Sequence, residues 1–341
     1  MACTIPNENL PEIASLWIGG QLSWLEQLCL VSFAHAGHHV TLYSYSHIDN
    51  VPPEITQLPA QKIFPSEPMY CHARTGSPAI HADLFRLHLL KKTDKIWVDA
   101  DMYCRQPFDF DFTSVFGWEK PGLVCNAVLS LPKDSNALNN MLEFFKDEYA
   151  IAPWLKPHQR EELEVEKKAG NPVHMTEQNW GFTGPEAVTW FLQESGELEK
   201  ALPQVSFYPV SFKKRNHMIM KRFKVEEQLT NETYGVHFWA RRMKPRLEEK
   251  EGGVPRGGSF MDAAIKLHGI TPGMAPIPPK KAVVKAPIDD SVFRANLAIE
   301  ALSGKTSIDG LSRKYLVEPK FIKECVNTLV KAAPGVFEDN A

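Results

Sequence analysis

The sequence predicts an α/β fold, a sheet flanked by helices, with a small helical module at its C-terminal end. Three observations lead there. Strand, helix and strand patterns alternate through the first half of the chain. One apolar strand runs directly into a pair of aspartates. Beyond Arg246 the composition shifts to glycine, proline and lysine, and helical periodicity resumes only near residue 291.

SLWI at residues 15–18 is a short apolar strand closed by Gly19 and Gly20. Residues 23–36 carry Leu25, Leu28, Cys29, Val31 and Ser32 near helical spacing, and Gly37 stands where a helix C-terminus favours positive φ. HVTLYSY at residues 39–45 is β-branched and aromatic, a good strand, so the three segments make one βαβ unit. Residues 50–78 are rich in proline and turn formers and predict a long loop. AIHADLFRLHLL at residues 79–90 is an amphipathic helix, and KIWV at residues 95–98 a buried strand. A strand at 122–131 and a helix at 136–149 continue the alternation.

The charged segment 155–172 reads as a solvated helix or hairpin loop. NWGFTG at residues 179–184 is a loop before a helix over 185–193, with proline in its first turn. That helix N-terminus could face phosphate, or Thr183 could simply cap it. Strands near 205–210 and 235–239 are expected to close the domain. The organisation expected is a first domain over 1–247, a Pro/Gly-rich linker over 248–290 and a helical module over 291–341.

Bulk properties exclude some classes. Hydrophobic residues at 43% and charged residues at 23% suit a globular core. A formal charge of −3 gives no global reason for a nucleic-acid or membrane partner. The six cysteines (Cys3, Cys29, Cys71, Cys104, Cys125, Cys325) lack ligand spacing, which argues against structural zinc and for reduced thiols. No stretch approaches the roughly 20 apolar residues of a transmembrane span. The first residues lack the basic-then-apolar pattern of a signal peptide, so a cytoplasmic location is expected.

The chemistry centres on IWVDADMY at residues 96–103. A strand delivering two carboxylates at its C-terminal end places them at a crevice of an α/β sheet. Asp99 and Asp101 are one residue apart, so in an extended chain both point to one side. Two hard oxygen ligands suit Mg²⁺ or Mn²⁺, which also bridge a diphosphate. Alone, the pair reads more readily as the mere end of a strand and start of a turn. A phosphatase of the haloacid-dehalogenase type is a further reading, disfavoured by Met102. In the preceding helix Asp83 and Arg86 are three apart, on one face, where acid and guanidinium could grip sugar hydroxyls or form an ordinary ion pair.

SLWIGG (15–20), ADLFR (82–86), IWVDADMY (96–103) and HFW (237–239), in that order, resemble the DXD sugar-binding glycosyltransferases. That group includes α-1,4-galactosyltransferases, initiating α-1,6-mannosyltransferases and large glucosylating toxins, and the resemblance spans residues 12–245. It implies a GT-A fold, a nucleotide-sugar-binding Rossmann-like mixed sheet. It also implies a nucleotide-diphosphate donor (a UDP-sugar), Mn²⁺ or Mg²⁺ as cofactor, and transfer with retention to an acceptor hydroxyl. By the same resemblance Trp17, with Gly19 beside it, stacks the nucleobase. Asp83 and Arg86 contact the donor sugar, Asp99 the ribose and metal, and Asp101 the metal. His237 and Trp239 complete the metal and diphosphate site, although His237 is also readable as a core histidine. Ala82, Leu87, Met102 and Tyr103 depart from the family pattern and leave the donor sugar open.

Ten basic residues lie between Lys213 and Arg246 against three acids, Glu226, Glu227 and Glu232. One or two could bind the diphosphate; the rest suggest an anionic acceptor or a merely solvated face. The acceptor is therefore expected to be a glycan or lipid, with DNA as an alternative. The C-terminal helices have helix-turn-helix spacing, yet residues 281–341 hold nine bases and eight acids, little charge for DNA binding. A packing or oligomerisation module is the favoured reading of the tail. A non-catalytic binding protein on the same scaffold is the alternative from another class.

Overall fold

The computed structural model describes residues 6–278, 290–304, 308–315 and 317–338. Strand β1 (Ile13–Trp17), helix α1 (Trp24–His35) and strand β2 (Val40–Ser44) form the expected unit, the strands parallel from Ile13 opposite Val40 to Trp17 opposite Ser44. All five β2 positions are buried, as in a parallel strand covered on both faces. Ser23 caps α1: its backbone N–H and its hydroxyl both donate to Glu26 Oε2, at 3.0 and 2.7 Å. Past the helix, Gly37 takes φ +98° and returns its N–H to Ala34 O.

The expected loop over 50–78 instead contains β3 (Ile55–Pro59), parallel to β2 at the sheet edge. Pro52 and Pro53 hid it, and Pro59 is tolerated because an edge strand leaves one side unpaired. Helix α2 (Ala79–Lys92) leads to β4 (Ile96–Val98), which lies parallel to β1. A short β5 (Met102–Cys104) then leaves the main sheet. Next come β6 (Val115–Lys120), unanticipated from the sequence, and β7 (Leu123–Ser130), joined by a turn with Gly122 at φ +78°. Strand β7 runs antiparallel to both β4 and β6, giving a six-stranded mixed sheet ordered β3-β2-β1-β4-β7-β6. With its flanking helices this six-stranded sheet makes the mixed α/β fold that the sequence predicts.

Helix α3 (Asn136–Phe144) stops five residues before the expected 149, α4 (Pro157–Lys168) buries no side chain, and α5 (Pro185–Glu194) begins on its proline. Residues 205–210 form no strand. A 3₁₀ turn at Gln204–Ser206 occupies the segment, where Pro203 and Pro209 withhold ladder donors and Phe207 and Tyr208 are both fully buried. Strand β8 (Gly235–His237) pairs antiparallel with β5 rather than joining the main sheet, then gives way to α6 (Ala240–Glu251). Helix α7 (Phe260–His268) follows.

Side chains alternate across β4: Trp97 joins Phe85, Met141 and Val188 under α2, α3 and α5, while Ile96 and Val98 join Leu30, Phe33 and Val128 on the other face. Beyond α1 a third cluster joins Trp24, Leu25 and Leu28 to Val236, Phe238, Leu247, Phe260, Ile265 and Ile277. The boundary expected at 247 thus falls inside α6, and much of the expected linker belongs to the first compact unit, which comprises Met1–Tyr70 and Pro78–Lys280. Glycines on either side masked the apolar pattern of α7, and Trp24 N–H donates to Ala275 O at 2.6 Å.

The second unit, Cys71–Ser77 with Lys281–Ala341, contains α8 (Ser291–Leu302), α9 (Ile308–Tyr315) and α10 (Pro319–Glu338). Leu297, Ala298, Leu311, Val317, Ile322 and Cys325 form its core. Among the described residues no helix is long and apolar enough to cross a membrane. The five described cysteines are free thiols.

His81, fully buried in α2, accepts the Tyr70 N–H at Nδ1 (3.4 Å) and shares 2.6 Å with the Tyr45 hydroxyl at Nε2, an arrangement suited to neutral imidazole. Burial pushes it down to about 4; burial and then His35 do the same to His268. The unfolded chain titrates near 6.5. Stability is therefore complete above that pH and falls as pH drops from 6.5 toward 4. Urea midpoints at neutral pH and near pH 5 are expected to show this loss, and His81→Gln to reduce its slope.

Candidate functional site

Asp99 follows β4, and its N–H donates to Ala127 O of β7 at 2.8 Å. The chain then turns: Met102 N–H donates to Asp99 O at 2.9 Å. The two aspartates do not lie on an extended strand as the sequence spacing suggested. They converge because the turn folds Asp101 back while β8 brings His237 opposite Met102. His237 Nε2 lies 3.1 Å from Asp101 Oδ1, and the Ala240 N–H donates to Asp101 Oδ2 at 2.7 Å. Asp101 thus caps the first turn of α6, where exposed amides and the helix dipole favour an anion.

Trp239 makes this possible. It is the only non-glycine with positive φ among the described residues, at +57°. That conformation costs on the order of 1–3 kcal/mol. It turns β8 sharply into α6, so the Ala240 amide faces Asp101, and it sets the Trp239 ring 4.1 Å from the His237 ring.

A second set of contacts comes from α2. Arg86, 5% exposed, reaches two acids: Nη1 lies 3.1 Å from Asp83 Oδ1 and Nη2 lies 3.1 Å from Asp99 Oδ1. Its guanidinium also sits 4.8 Å from the Trp97 ring centre, and Trp97 Nε1–H donates to Asp99 Oδ1 at 2.8 Å. Asp83 accepts further bonds from Asn126 Nδ2 (3.0 Å, to Oδ1) and the Thr183 hydroxyl (2.7 Å, to Oδ2). A Cβ on Gly184 would come within 3.2 Å of Asp83 Oδ2, so the loop before α5 packs closely on this carboxylate. Thr183 therefore binds Asp83 rather than serving as a simple helix cap. Asn126 went unnoticed in the sequence, although one amide inside the apolar run GLVCNAVLSL was its signal.

Trp17 ends β1, its Nε1–H donating to Gly20 O at 2.8 Å across Gly19, which takes φ +150°. Lys244 Nζ stands 5.1 Å from the Trp17 ring centre and 2.5 Å from Glu26 Oε1. The same lysine helps stabilise the Asp101 carboxylate. Lys244 therefore links Trp17 to Asp101, a role its place among ten basic residues did not disclose.

The groups titrate as a set. Burial pushes Asp99 up, against the pull of Arg86, and the neighbouring Asp101 charge adds to the rise. Burial also opposes the Asp101 carboxylate, but His237, the Ala240 amide and Lys244 outweigh it and hold this acid below its ordinary value. Burial disfavours the His237 imidazolium, yet Asp101 and then Asp99 raise it.

Asp99, Asp101 and His237 each offer one ligand atom, all within 4.8 Å of one another. Opposite ligands on an octahedral Mg²⁺ stand about 4.2 Å apart, so small side-chain shifts bring these atoms to one divalent ion. Two carboxylates and one imidazole are compatible with a divalent metal ion.

No family model matches the sequence, and no curated protein matches it. Among solved structures, the PaToxG Glycosyltransferase is 18% identical, with 54% of this chain and 70% of that chain covered, at a TM-score of 0.37. That likeness is too distant for an activity to be read across from it.

Arg86→Met leaves Asp83 and Asp99 without their shared cation. The variant is expected to lose about 3–5 kcal/mol of stability in urea denaturation. Adding Asp83→Asn to it is expected to recover part of that loss.

Proposed function

We propose that this chain is a metal-dependent glycosyltransferase that moves a hexose or similar sugar from a nucleotide-diphosphate donor, a UDP-sugar, to an acceptor hydroxyl. One observation carries the reading: Asp99, Asp101 and His237, whose ligand atoms lie within 4.8 Å of one another, adjoin the Asp83–Arg86 pair, with Arg86 touching both Asp83 and Asp99. A merely structural ion pair does not need two aspartates and a histidine within reach of one ion.

In this reading Asp99, Asp101 and His237 hold Mn²⁺ or Mg²⁺. When bound, such an ion neutralises charge on the departing diphosphate. Asp83 and Arg86 contact the donor sugar, Asp83 accepting hydroxyl protons while Arg86 fixes its position. Trp17 stacks the nucleobase on its ring face, with Gly19 keeping the adjoining chain clear. Lys244, between Trp17 and Asp101, donates to diphosphate oxygens as the charge develops. Trp239 packs on His237 and sets its orientation. The acceptor hydroxyl enters on the face the diphosphate leaves, which gives retention of configuration.

The acceptor belongs to a glycan or lipid, with the exposed cations Lys213, Lys214, Lys221 and Arg222 favouring an anionic one. The C-terminal helices α8–α10 serve packing or self-association. A cytoplasmic location accords with the free thiols.

Hydrolysis of a nucleotide-sugar panel with and without Mn²⁺ tests the activity. Turnover with at least one donor is expected, dependent on the ion and reduced by at least about 100-fold in Asp101→Ala, in keeping with the loss of several kcal/mol of charge stabilisation. Equal turnover in both proteins would refute the metal assignment.

UDP titration addresses the nucleobase platform separately. Trp17→Ala is expected to weaken UDP binding by roughly 5- to 100-fold, the range for one aromatic–base stack.

A further inference from the structure

Residues 211–225 carry six cations (Lys213, Lys214, Arg215, Lys221, Arg222 and Lys224) and no acid, in a chain of formal charge −3. Such a run is ordinary in a disordered tail, but this one is built into the first compact unit. Phe212–Ile219 form a 3₁₀ segment whose Met218 and Ile219 are fully buried in the third apolar cluster. Arg256 N–H donates to Ile219 O at 3.1 Å, and Val225 is fully buried at the far end of the run. Holding like charges on a folded surface costs self-repulsion, which a structural role does not require.

Two aromatic rings lie within the run. Phe212 is 39% exposed, with the Arg215 guanidinium carbon 4.4 Å from its ring centre. His217 stacks on Phe223 at 3.6 Å, and the Arg222 guanidinium carbon lies 4.8 Å from the same ring. Burial and then Lys214 and Arg222 lower His217, so the charges that reach this imidazole are cations. Lys224 pairs with Glu227 at 3.4 Å, but Lys213, Lys214, Lys221 and Arg222 are exposed and, among the described residues, in no ion pair.

We propose that this face docks the protein on an anionic lipid bilayer. Lys213, Lys214, Lys221 and Arg222 donate to headgroup phosphates, while Phe212 enters the boundary between headgroups and acyl chains. Their long stems let the charges stay with the phosphates as the ring goes deeper. A single-stranded nucleic acid fits less well. Its bases stack on open ring faces, and here a guanidinium and an imidazole already lie on the two rings. The docked face also adjoins the candidate metal group: the Phe212 ring lies 5.4 Å from the Trp239 ring, itself 4.1 Å from His237. A bilayer there favours an acceptor hydroxyl carried on a lipid. The lipid-borne acceptor rests on the glycosyltransferase reading; docking on the bilayer does not.

Co-sedimentation of the full chain with phosphatidylcholine vesicles, with and without phosphatidylglycerol, tests the docking. Binding is expected only to the vesicles with phosphatidylglycerol, and is expected to be lost at about 1 M salt, where charges are screened within about 3 Å. Lys213→Gln/Lys214→Gln is expected to bind them about 25-fold more weakly, about fivefold for each cation removed. Lys213→Arg/Lys214→Arg keeps the charge and is expected to stay within about threefold of wild type. Phe212→Ala is expected to weaken binding by at least about threefold through loss of the inserted ring. UDP with Mn²⁺, titrated in parallel, is expected to bind wild type and Lys213→Gln/Lys214→Gln alike. Wild type that ignores the anionic vesicles or binds both kinds equally, unchanged binding in the glutamine variant, or a single-stranded oligonucleotide bound in preference to the vesicles would overturn the docking. Failure of UDP with Mn²⁺ to bind wild type would instead overturn the donor reading alone.

Discussion

Arg86 is shared between two carboxylates, and the arrangement of the site depends on that sharing. A guanidinium 5% exposed has lost most of its water and requires anionic partners. Its planar fork reaches Asp83 with one nitrogen and Asp99 with the other, so the α2 acid and the β4 acid are held in one place. Neither acid could take the other's place, because each is fixed by separate neutral donors: Asn126 and Thr183 on Asp83, Trp97 on Asp99. The mixed sheet supplies the scaffold, since Trp97 and Asn126 come from β4 and β7, an antiparallel pair.

Asp101 is organised by different means. No arginine touches it in the contacts described above; its partners are His237 and the first amide of α6. Both arrive through the two-stranded pairing of β5 with β8 and the left-handed backbone at Trp239. The strain at that tryptophan is held by packing, with Phe238 fully buried and stacked on Tyr103 and Met243 fully buried one turn into α6. The consequence is an asymmetric pair, with Asp99 shifted up and Asp101 shifted down. Environment, rather than residue type, separates the two aspartates.

The legible parts of the sequence were those whose patterns are local. The βαβ unit, α2, β4 and the three C-terminal helices each carry their own periodicity within a few turns or one strand. The DAD sequence, Asp83 and Arg86 were visible for the same reason, since spacing along one helix or one strand identifies them. Elements with a diluted local signal were missed or misjudged. β3 is bracketed by prolines, α7 is enclosed by glycines, and the segment 205–210 had apolar residues but no ladder donors where a strand needs them.

The sequence by itself determined the alternating α/β character, the helical C-terminal unit and the residues able to bind a cation. The tertiary structure decided which of them meet. His237 lies 136 residues from Asp101 and Thr183 lies 100 from Asp83, and no local periodicity encodes such pairings. Lys244, one of ten clustered cations, was singled out only by its contacts with Trp17 and Glu26. Even the convergence of Asp99 and Asp101 had the wrong cause when read from spacing alone: a turn brings them together, not a strand. The reason is physical. Hydrophobic periodicity records which face of an element is buried, whereas the partners of a buried polar group are fixed by how distant elements pack.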